Sequence, residues 1–593
     1  MLIEKTGQEK VLIAGYVIAI GFIVLIMRLW QLQVLQGSEF RKISESNRLR
    51  VFGVPAPRGI IFDRNGIPLV KNTSSFCASL IPEEFDSRNI PALSRLLKLP
   101  GEELLKKINR KGQSPFTPLR LKEGLSFNEV SFIEARRSDF PGLMIEIEVS
   151  RQYIYGSVGA HVIGYLGKLS PDQARNPAFR DVPPDAFIGQ WGVEKIFDKS
   201  LRGTPGQRIT EVDAFGREIR LLKENPPVKG GDITLSIDIA LQKEAEKSFD
   251  GRAGALVALK TDTGEVLGLV STPSFDPNKF TKGITSEEWS ELMQDKKLPM
   301  LNRAIQSQYP PGSTFKIITA IAGIEEGTLH DDTSVNCRGG ISFGKWHFGC
   351  WKKTGHGTIA LHRALVESCD VYFYEAGRQL GIDRIYDYAT RLGLGKETGI
   401  LLGTEKKGLI PNTRWKTEVK KAPWYLGETF VNSIGQGYVA ATPIQMAVMM
   451  AAVSNGGKVF VPTLVKGSAP DLVRNAGIKD STLEEMKKHL AGVVNEPGGT
   501  GGAARSRVTT IGGKTGTAQV VGIRKDSKFL SEKFRDHAWF VAFAPIEKPE
   551  IAVSVFVEHG GHGGSAAAPI AKKAIEAYML PEARKREIIN VQN

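Results

Sequence analysis

The chain has 593 residues, of which 41% are hydrophobic and 24% charged; this supplies a large core and excludes a disordered or fibrous polymer. Its net charge of +14 fits an anionic partner, such as a lipid surface or a cell-wall polymer. With no C2H2 pattern, RNP-like aromatic run or tight Lys/Arg block, nucleic acid is not the expected partner, and 4 cysteines in this length exclude a disulfide-built scaffold.

The first predicted element is an anchor. Val11 to Met27 carries no charged side chain, and Leu29 and Trp30 extend the run once Arg28 snorkels to an interface. A cleavable leader would end in small residues. Arg28-Leu-Trp-Gln-Leu follows instead, so the reading is an uncleaved single-pass helix over 11–33 behind a cytoplasmic tail, 1–10. The alternative, a buried core helix, is disfavoured because the run has no polar face. Lys5 and Lys10 precede the span, whereas Arg28, Arg41, Lys42, Arg48 and Arg50 follow it. Charge counting alone therefore puts the bulk of the chain in the cytoplasm.

Residues 34–235 read as one mixed region broken by Gly and Pro, with helices expected at Ile90–Leu97 and Glu102–Ile108. Within it, Arg58-Gly-Ile-Ile-Phe-Asp-Arg-Asn-Gly66 sets a strand before an Asn-Gly turn. Asp232-Ile-Thr-Leu-Ser-Ile-Asp238 alternates like a strand. A second domain spans 236–580 and leaves a tail, 581–593. It opens with a hairpin, Ala255–Leu259 and Val266–Ser271. Helical text fills its middle. Two more strands, Ala538–Ala544 and Ile551–Val557, and a helix, Ala566–Leu580, end it. Strands at both ends with helices between predict an α+β domain whose sheet closes late in the chain.

Three motifs carry chemistry. In Pro310-Pro-Gly-Ser-Thr-Phe-Lys316, Ser313 begins a helical run and shares a face with Lys316. A serine hydroxyl needs a base beside it, and a lysine desolvated on a buried helix can serve. In Ser368-Cys-Asp370, an extended backbone would point Ser368 and Asp370 the same way. Ser368 could then pass protons while Asp370 orients substrate or lysine. In Gly512-Gly-Lys-Thr-Gly-Thr-Ala518, Lys514 offers a charge for a carboxylate, Thr515 and Thr517 offer hydroxyls, and Gly516 admits substrate close to the backbone. A phosphate loop is excluded, because Val508 stands where its first glycine belongs.

Each motif alone is weak; together, Ser-x-x-Lys, Ser-x-Asp and Lys-Thr-Gly in this order resemble the penicillin-binding proteins. Within them the chain is similar to the class B elongation transpeptidases. Arg58–Gly66, Arg151-Gln-Tyr-Ile-Tyr and Gly189-Gln-Trp-Gly-Val-Glu194 resemble the family's non-catalytic motifs. Trp351-Lys-Lys-Thr-Gly-His-Gly357 and Asp536-His-Ala-Trp-Phe-Val-Ala-Phe-Ala-Pro545 resemble the elongation subfamily, as does Asp370 in place of the usual Asn. The resemblance implies a single membrane helix, an elongated pedestal or dimerisation-type domain, and a transpeptidase domain with an antiparallel sheet flanked by helices. It implies a monofunctional enzyme of the bacterial inner membrane with its catalytic domain in the periplasm, against the charge count. Ser313 would attack the penultimate D-alanine carbonyl of a peptidoglycan stem peptide, with Lys316 as base. Lys514 and Thr515 would bind the terminal carboxylate, and the backbone N–H groups of Ser313 and Thr517 would form the oxyanion hole. β-Lactams would acylate the same serine. Implied partners are a SEDS-type glycosyltransferase of the RodA kind and other elongation-complex proteins. A D,D-carboxypeptidase and a scaffold that activates the glycosyltransferase are the competing readings.

Cys337, Cys350, His356 and Cys369, spaced Cys-x12-Cys-x5-His-x12-Cys, can close a tetrahedral structural zinc site, and the subfamily is associated with a metal at these positions. The competitor is a Cys337–Cys350 disulfide with Cys369 inert; His347 is a rival ligand. A metal on Cys369 would fix the strand presenting Ser368 and Asp370. His559 and His562 read as solvent-facing turn residues, Pro497–Gly502 as a mobile loop near the cleft, and Cys77 as a core hydrophobe.

Overall fold

The computed structural model describes residues 3–38, 49–109, 118–180, 182, 186–212, 218–281, 283–520 and 534–580; the expected 581–593 tail lies outside them. A helix, Ile3–Trp30, continues into a π-turn, Gln31–Leu35. Its apolar stretch Val11–Leu35 has 25 residues, none buried, which removes the core-helix alternative; at 1.5 Å per residue it reaches about 37 Å, enough to cross hydrocarbon. Among the described residues it is the one helix long and apolar enough to do so.

The chain packs as two units: residues 1–58, 73–150 and 202–230, and residues 59–72, 151–201 and 231–593. In the first, strands Leu49–Val54, Gly206–Val212 and Glu218–Asn225 make an antiparallel sheet. Elsewhere in it, Ser79 and Leu80 pair with the strand Leu119–Leu125. The expected helices form at Ile90–Leu97 and Gly101–Ile108, and Leu93, Leu97 and Leu104 on them are buried with Leu121 and Leu125. Cys77 is buried, as expected of a small hydrophobe.

The second unit holds the catalytic motifs. Its main elements are α1 (Ile239–Ser248), β1 (Gly254–Lys260), β2 (Val266–Thr272), α2 (Lys316–Glu325), α3 (Leu361–Val366), α4 (Asp370–Leu380), α5 (Pro443–Ser454), α6 (Asp480–Asn495), β3 (Gly512–Ala518), β4 (His537–Ala544), β5 (Ile551–Val557) and α7 (Ala568–Met579). The strands form one antiparallel sheet in the order β2-β1-β5-β4-β3. The early hairpin is thus completed by strands nearly 300 residues later, which the sequence anticipates.

Both sheet faces are covered, so the strands read as continuous apolar runs rather than alternating ones. Residues still alternate between two cores. Ala255, Val257 and Leu259 face the core built by α2 and α5. Leu256 and Ala258 face the one that holds Leu241 and Ala245 of α1 and Ile570 and Ala574 of α7. Every residue of α5 is buried.

Segments 59–72 and 151–201 pack into this unit through polar clamps. Asp63 Oδ1 accepts from Asn65 N at 2.7 Å and Ile67 N at 2.8 Å, closing the Asn-Gly turn. Its Oδ2 accepts from Ile239 N at 3.3 Å, at the start of α1. Arg151 is buried against Glu194 (Nε–Oε1 2.8 Å) and also donates to Gly59 O at 2.7 Å.

Two expectations change. The alternating run at 232–238 forms a strand only over Ile233–Thr234, with a single further bridge from Leu235 to Val465. Asp238 then caps α1, its carboxylate accepting from Ala240 N and Leu241 N, which ends the strand. The final helix is broken at Ala567, and α7 begins with Pro569 in its first turn.

Candidate active site

Gly312–Phe315 is a 3-10 turn that leads into α2 at Lys316, rather than an α-helix starting at Ser313. Residues three apart eclipse in such a turn, so half-buried Ser313 stands on the same side as fully buried Lys316. Glycines press this turn onto β3. Gly312 has φ +56°, and a Cβ there would lie 2.5 Å from the Thr517 carbonyl oxygen. A Cβ on Gly516 would lie 2.6 Å from Pro311 O. No side chain fits either approach.

The middle motif is not extended. Ser368 has φ +57°, in the left-handed region, Cys369 is the cap residue, and Asp370 is the first residue of α4. The expected convergence of Ser368 and Asp370 is reached by this cap turn instead of by strand alternation. Lys316 Nζ donates to Ser368 O at 2.8 Å, Ser368 Oγ at 3.3 Å and Asp370 Oδ1 at 2.7 Å. Asp370 Oδ2 accepts from Trp351 N at 2.9 Å.

Lys514 reaches the same hydroxyl from β3. Its Nζ donates to Ser368 Oγ at 2.9 Å and to Thr515 O at 3.2 Å. The side chain is 0% exposed. Burial, and then the neighbouring Lys316, hold its pKa well below that of an ordinary lysine, and Asp370 opposes them. Thr515 Oγ1 lies 2.7 Å from Thr500 Oγ1. Ser313, Lys316, Ser368, Asp370, Lys514, Thr515, Gly516 and Thr517 therefore belong to one cleft.

Behind the cap turn, one ligand atom each from Cys337, Cys350, His356 and Cys369 lies within 4.8 Å of the others. The thiols are unbridged. His356 Nδ1 is 3.5 Å from Cys337 Sγ and 3.6 Å from Cys350 Sγ, and its Nε2 is buried without a hydrogen-bond partner. The Cys350 thiol is pulled down to about 5 by its contact with Cys369, which is itself pushed up by the same contact and by burial. His347 lies outside this group, on an exposed hairpin beside Ser342 Oγ.

Three participants were not singled out as such from sequence. Trp351 Nε1 donates to Glu367 O at 3.0 Å and Ser368 O at 3.1 Å. Gln436 Nε2 donates to Thr517 O at 2.9 Å; the available signal was an amide between two glycines, Gly435 and Gly437. Thr500 lies in the loop expected to be mobile, yet that loop is pinned by Thr500 N to Val366 O at 3.2 Å and Gly501 N to Val493 O at 2.9 Å. His559 is half-buried and donates its N–H to His537 Nδ1 at 3.0 Å, whereas His562 is exposed.

Comparison with known proteins fits this geometry. The penicillin binding protein transpeptidase domain matches residues 254–576, and the penicillin-binding protein dimerisation domain matches 53–235. The peptidoglycan D,D-transpeptidase MrdA of Acinetobacter baumannii is 37% identical over 615 residues, covering 100% of this chain and 90% of that protein. Among solved structures, the complex between penicillin-binding protein PBP2 and MreC from Helicobacter pylori aligns with TM-score 0.79 at 29% identity, over 90% of this chain and 99% of that one. A structure described as coordinating polymerization and crosslinking in a peptidoglycan synthase complex aligns with TM-score 0.72 at 32% identity, over 96% and 98%.

Proposed function

The chain belongs to the penicillin-binding protein transpeptidase family and is a peptidoglycan D,D-transpeptidase; from that premise we propose that Ser313 is its acylated nucleophile and that the Ser368 hydroxyl is its proton relay. The observation that carries this reading is the position of Ser368 Oγ, 3.3 Å from Lys316 Nζ and 2.9 Å from Lys514 Nζ.

Ser313 Oγ attacks the penultimate D-alanine carbonyl of a stem peptide. Its proton passes to Lys316, and the developing oxyanion is held by the N–H groups of Ser313 and Thr517. The amide C–N bond then breaks. Terminal D-alanine leaves with a proton delivered through Ser368, and an ester remains on Ser313. A neighbouring stem amine attacks the ester, forms the cross-link and returns a proton to Ser313 Oγ. Lys514 is too deeply buried to meet the terminal carboxylate directly, so Thr515 and Thr517 make that contact. Lys514 acts from behind them, because an approaching carboxylate favours its ammonium form. β-Lactams follow the first half of this path. Purified full-length protein treated with a fluorescent penicillin is expected to carry one label, mapped by mass spectrometry to Ser313 and absent in Ser313→Ala. A label on any other residue overturns the assignment. Polymerase activation that survives in Ser313→Ala would separate a scaffold role from catalysis.

The cysteine cluster fits zinc. Zn–S of about 2.3 Å and Zn–N of about 2.0–2.1 Å give a tetrahedral N···S edge of about 3.5–3.6 Å, which the 3.5 and 3.6 Å from His356 Nδ1 to Cys337 and Cys350 match. The Glu367 carboxylate lies 4.0 Å from the otherwise unpartnered Nε2 of His356, on the side where a ligand histidine needs an orienting acceptor. Bound zinc would supply a cross-link that holds Cys369, and so the turn between Ser368 and Asp370. Verified metal removal is expected to lower the melting temperature and slow acylation; unchanged acylation in metal-free protein counts against it.

The apolar helix anchors the chain in the inner membrane, and the catalytic unit works in the periplasm, where stem peptides are cross-linked. Its partners are elongation-complex proteins, including a RodA-type glycosyltransferase. The relatives solved with MreC and as a peptidoglycan synthase complex support this reading.

A further inference from the structure

A second cluster of ligating side chains lies away from the cysteines. Glu485 and His489 stand one turn apart on α6 and share a face. Asp331, from the turn after α2, meets them. One ligand atom from each residue lies within 4.8 Å of the others. Asp331 is exposed, while His489 keeps only 4% of its surface.

The surrounding hydrogen bonds orient the histidine. Arg363 holds Glu496 (Nη1–Oε2 3.1 Å), and the other Glu496 oxygen is 2.9 Å from His362 Nε2. A carboxylate only accepts, so a neutral His362 carries its proton on Nε2 and offers Nδ1 as an acceptor. His362 Nδ1 lies 2.9 Å from His489 Nδ1, so with both rings neutral His489 donates from Nδ1. That leaves the lone pair of His489 on Nε2, facing Glu485 Oε1 at 3.3 Å. A buried imidazole lone pair aimed at carboxylates is repulsive unless a cation lies between them. A carboxylate-backed histidine presenting its free nitrogen is also how ligand histidines are set.

We propose that Asp331, Glu485 and His489 bind a divalent cation, with His362 and Glu496 as positioning residues, as a metal site separate from the cysteine cluster. One imidazole and two carboxylates suit Mn2+, Co2+ or Zn2+. The site joins three segments that serve the cleft: the end of the nucleophile helix α2, the helix α3 that leads to Ser368, and α6, which runs into the loop bearing Thr500. A cation there braces the cleft from behind and takes no part in acyl transfer.

Mn2+ is the probe, because thiolate clusters take it poorly. The detergent-solubilised full-length chain is titrated with Mn2+ and the free ion counted by electron paramagnetic resonance. One Mn2+ per chain is expected, with affinity about tenfold weaker or more in His362→Gln and weaker still in Asp331→Asn. Asp331 is exposed, so its variant should fold; penicillin acylation of Ser313 is expected to persist in both. Equal Mn2+ binding in wild type and Asp331→Asn would mean adventitious surface binding and overturn the proposal. So would no binding up to millimolar Mn2+, which would leave an extra proton in the His489–Glu485 contact as the occupant.

Discussion

Ser368→Ala removes one oxygen and changes the surroundings of two lysines. Lys316 keeps Ser368 O and Asp370 Oδ1 as acceptors, so its position survives. Lys514 keeps only Thr515 O at 3.2 Å among its acceptors. Leaving a fully buried amine short of one partner costs about 1–3 kcal/mol, and in a unit of this size each kcal/mol lowers the melting temperature by about 2–4 °C at most. The kinetic loss is larger. Without the hydroxyl, no hydrogen bond among the described residues links Lys316 to Lys514, and the leaving nitrogen loses its positioned donor; loss of such a transfer slows reaction about 10²–10⁴-fold. The assay is a time course of acylation by fluorescent penicillin at several concentrations, with Ser313 modification confirmed by mass spectrometry and melting recorded without drug. Acylation within about threefold of wild type, with Ser313 still modified, would refute the relay.

Arg151→Met removes the guanidinium from buried Glu194, where side-chain exposures are 2% and 0%. Breaking a buried pair costs about 3–5 kcal/mol, read as a shift of the urea midpoint; a loss under about 1 kcal/mol would show that this clamp is not structural. Glu246 is half-buried and accepts from Gly159 N (2.8 Å) and Gln242 Nε2 (2.9 Å), and desolvation raises its pKa from 4.5 to about 7. The folded form thus holds the proton more tightly. Its contribution is fully present below pH 4.5 and is lost as pH rises towards about 7, by about 3 kcal/mol. Glu246→Gln is expected to match wild type in acid and exceed it in stability above pH 7; parallel pH–stability curves for the two would contradict this.

The fold was legible where burial is uniform. Ala255–Leu259 and Ile551–Val557 are apolar without interruption because both faces of the sheet are covered, and their strands formed where the text placed them. The helices at 90–97 and 101–108 were legible from their spacing. Non-local packing was not. Segments 59–72 and 151–201 belong with the C-terminal unit because Asp63 accepts from Ile239 N and the Tyr153 N–H reaches Asn278 Oδ1, partners far away in sequence that no local pattern records. The cleft was legible as chemistry but not as geometry. Ser-x-x-Lys was read as an α-helical pair and is a 3-10 turn, since Gly312 must curl to let Thr517 approach. Ser-x-Asp was read as a strand because no glycine signals the left-handed residue, and Thr500 and Gln436 carry no signal beyond the glycines around them.

That left-handed serine is where the site stores strain, and the strain can be measured. A non-glycine residue at φ +57° costs about 1–2 kcal/mol. Its carbonyl offsets this by accepting from both Lys316 Nζ at 2.8 Å and Trp351 Nε1 at 3.1 Å. Ser368→Gly and Ser368→Ala lose the same hydroxyl, but only glycine relieves the turn. Glycine also loosens the unfolded chain by about 0.4–1 kcal/mol, so the glycine variant should be the more stable by about 0.5–1 kcal/mol, with acylation equally slow in both. If Ser368→Gly melts below Ser368→Ala, the turn is not strained in this way, and the convergence of Lys316, Ser368 and Asp370 must be held by something other than the two donors on that carbonyl.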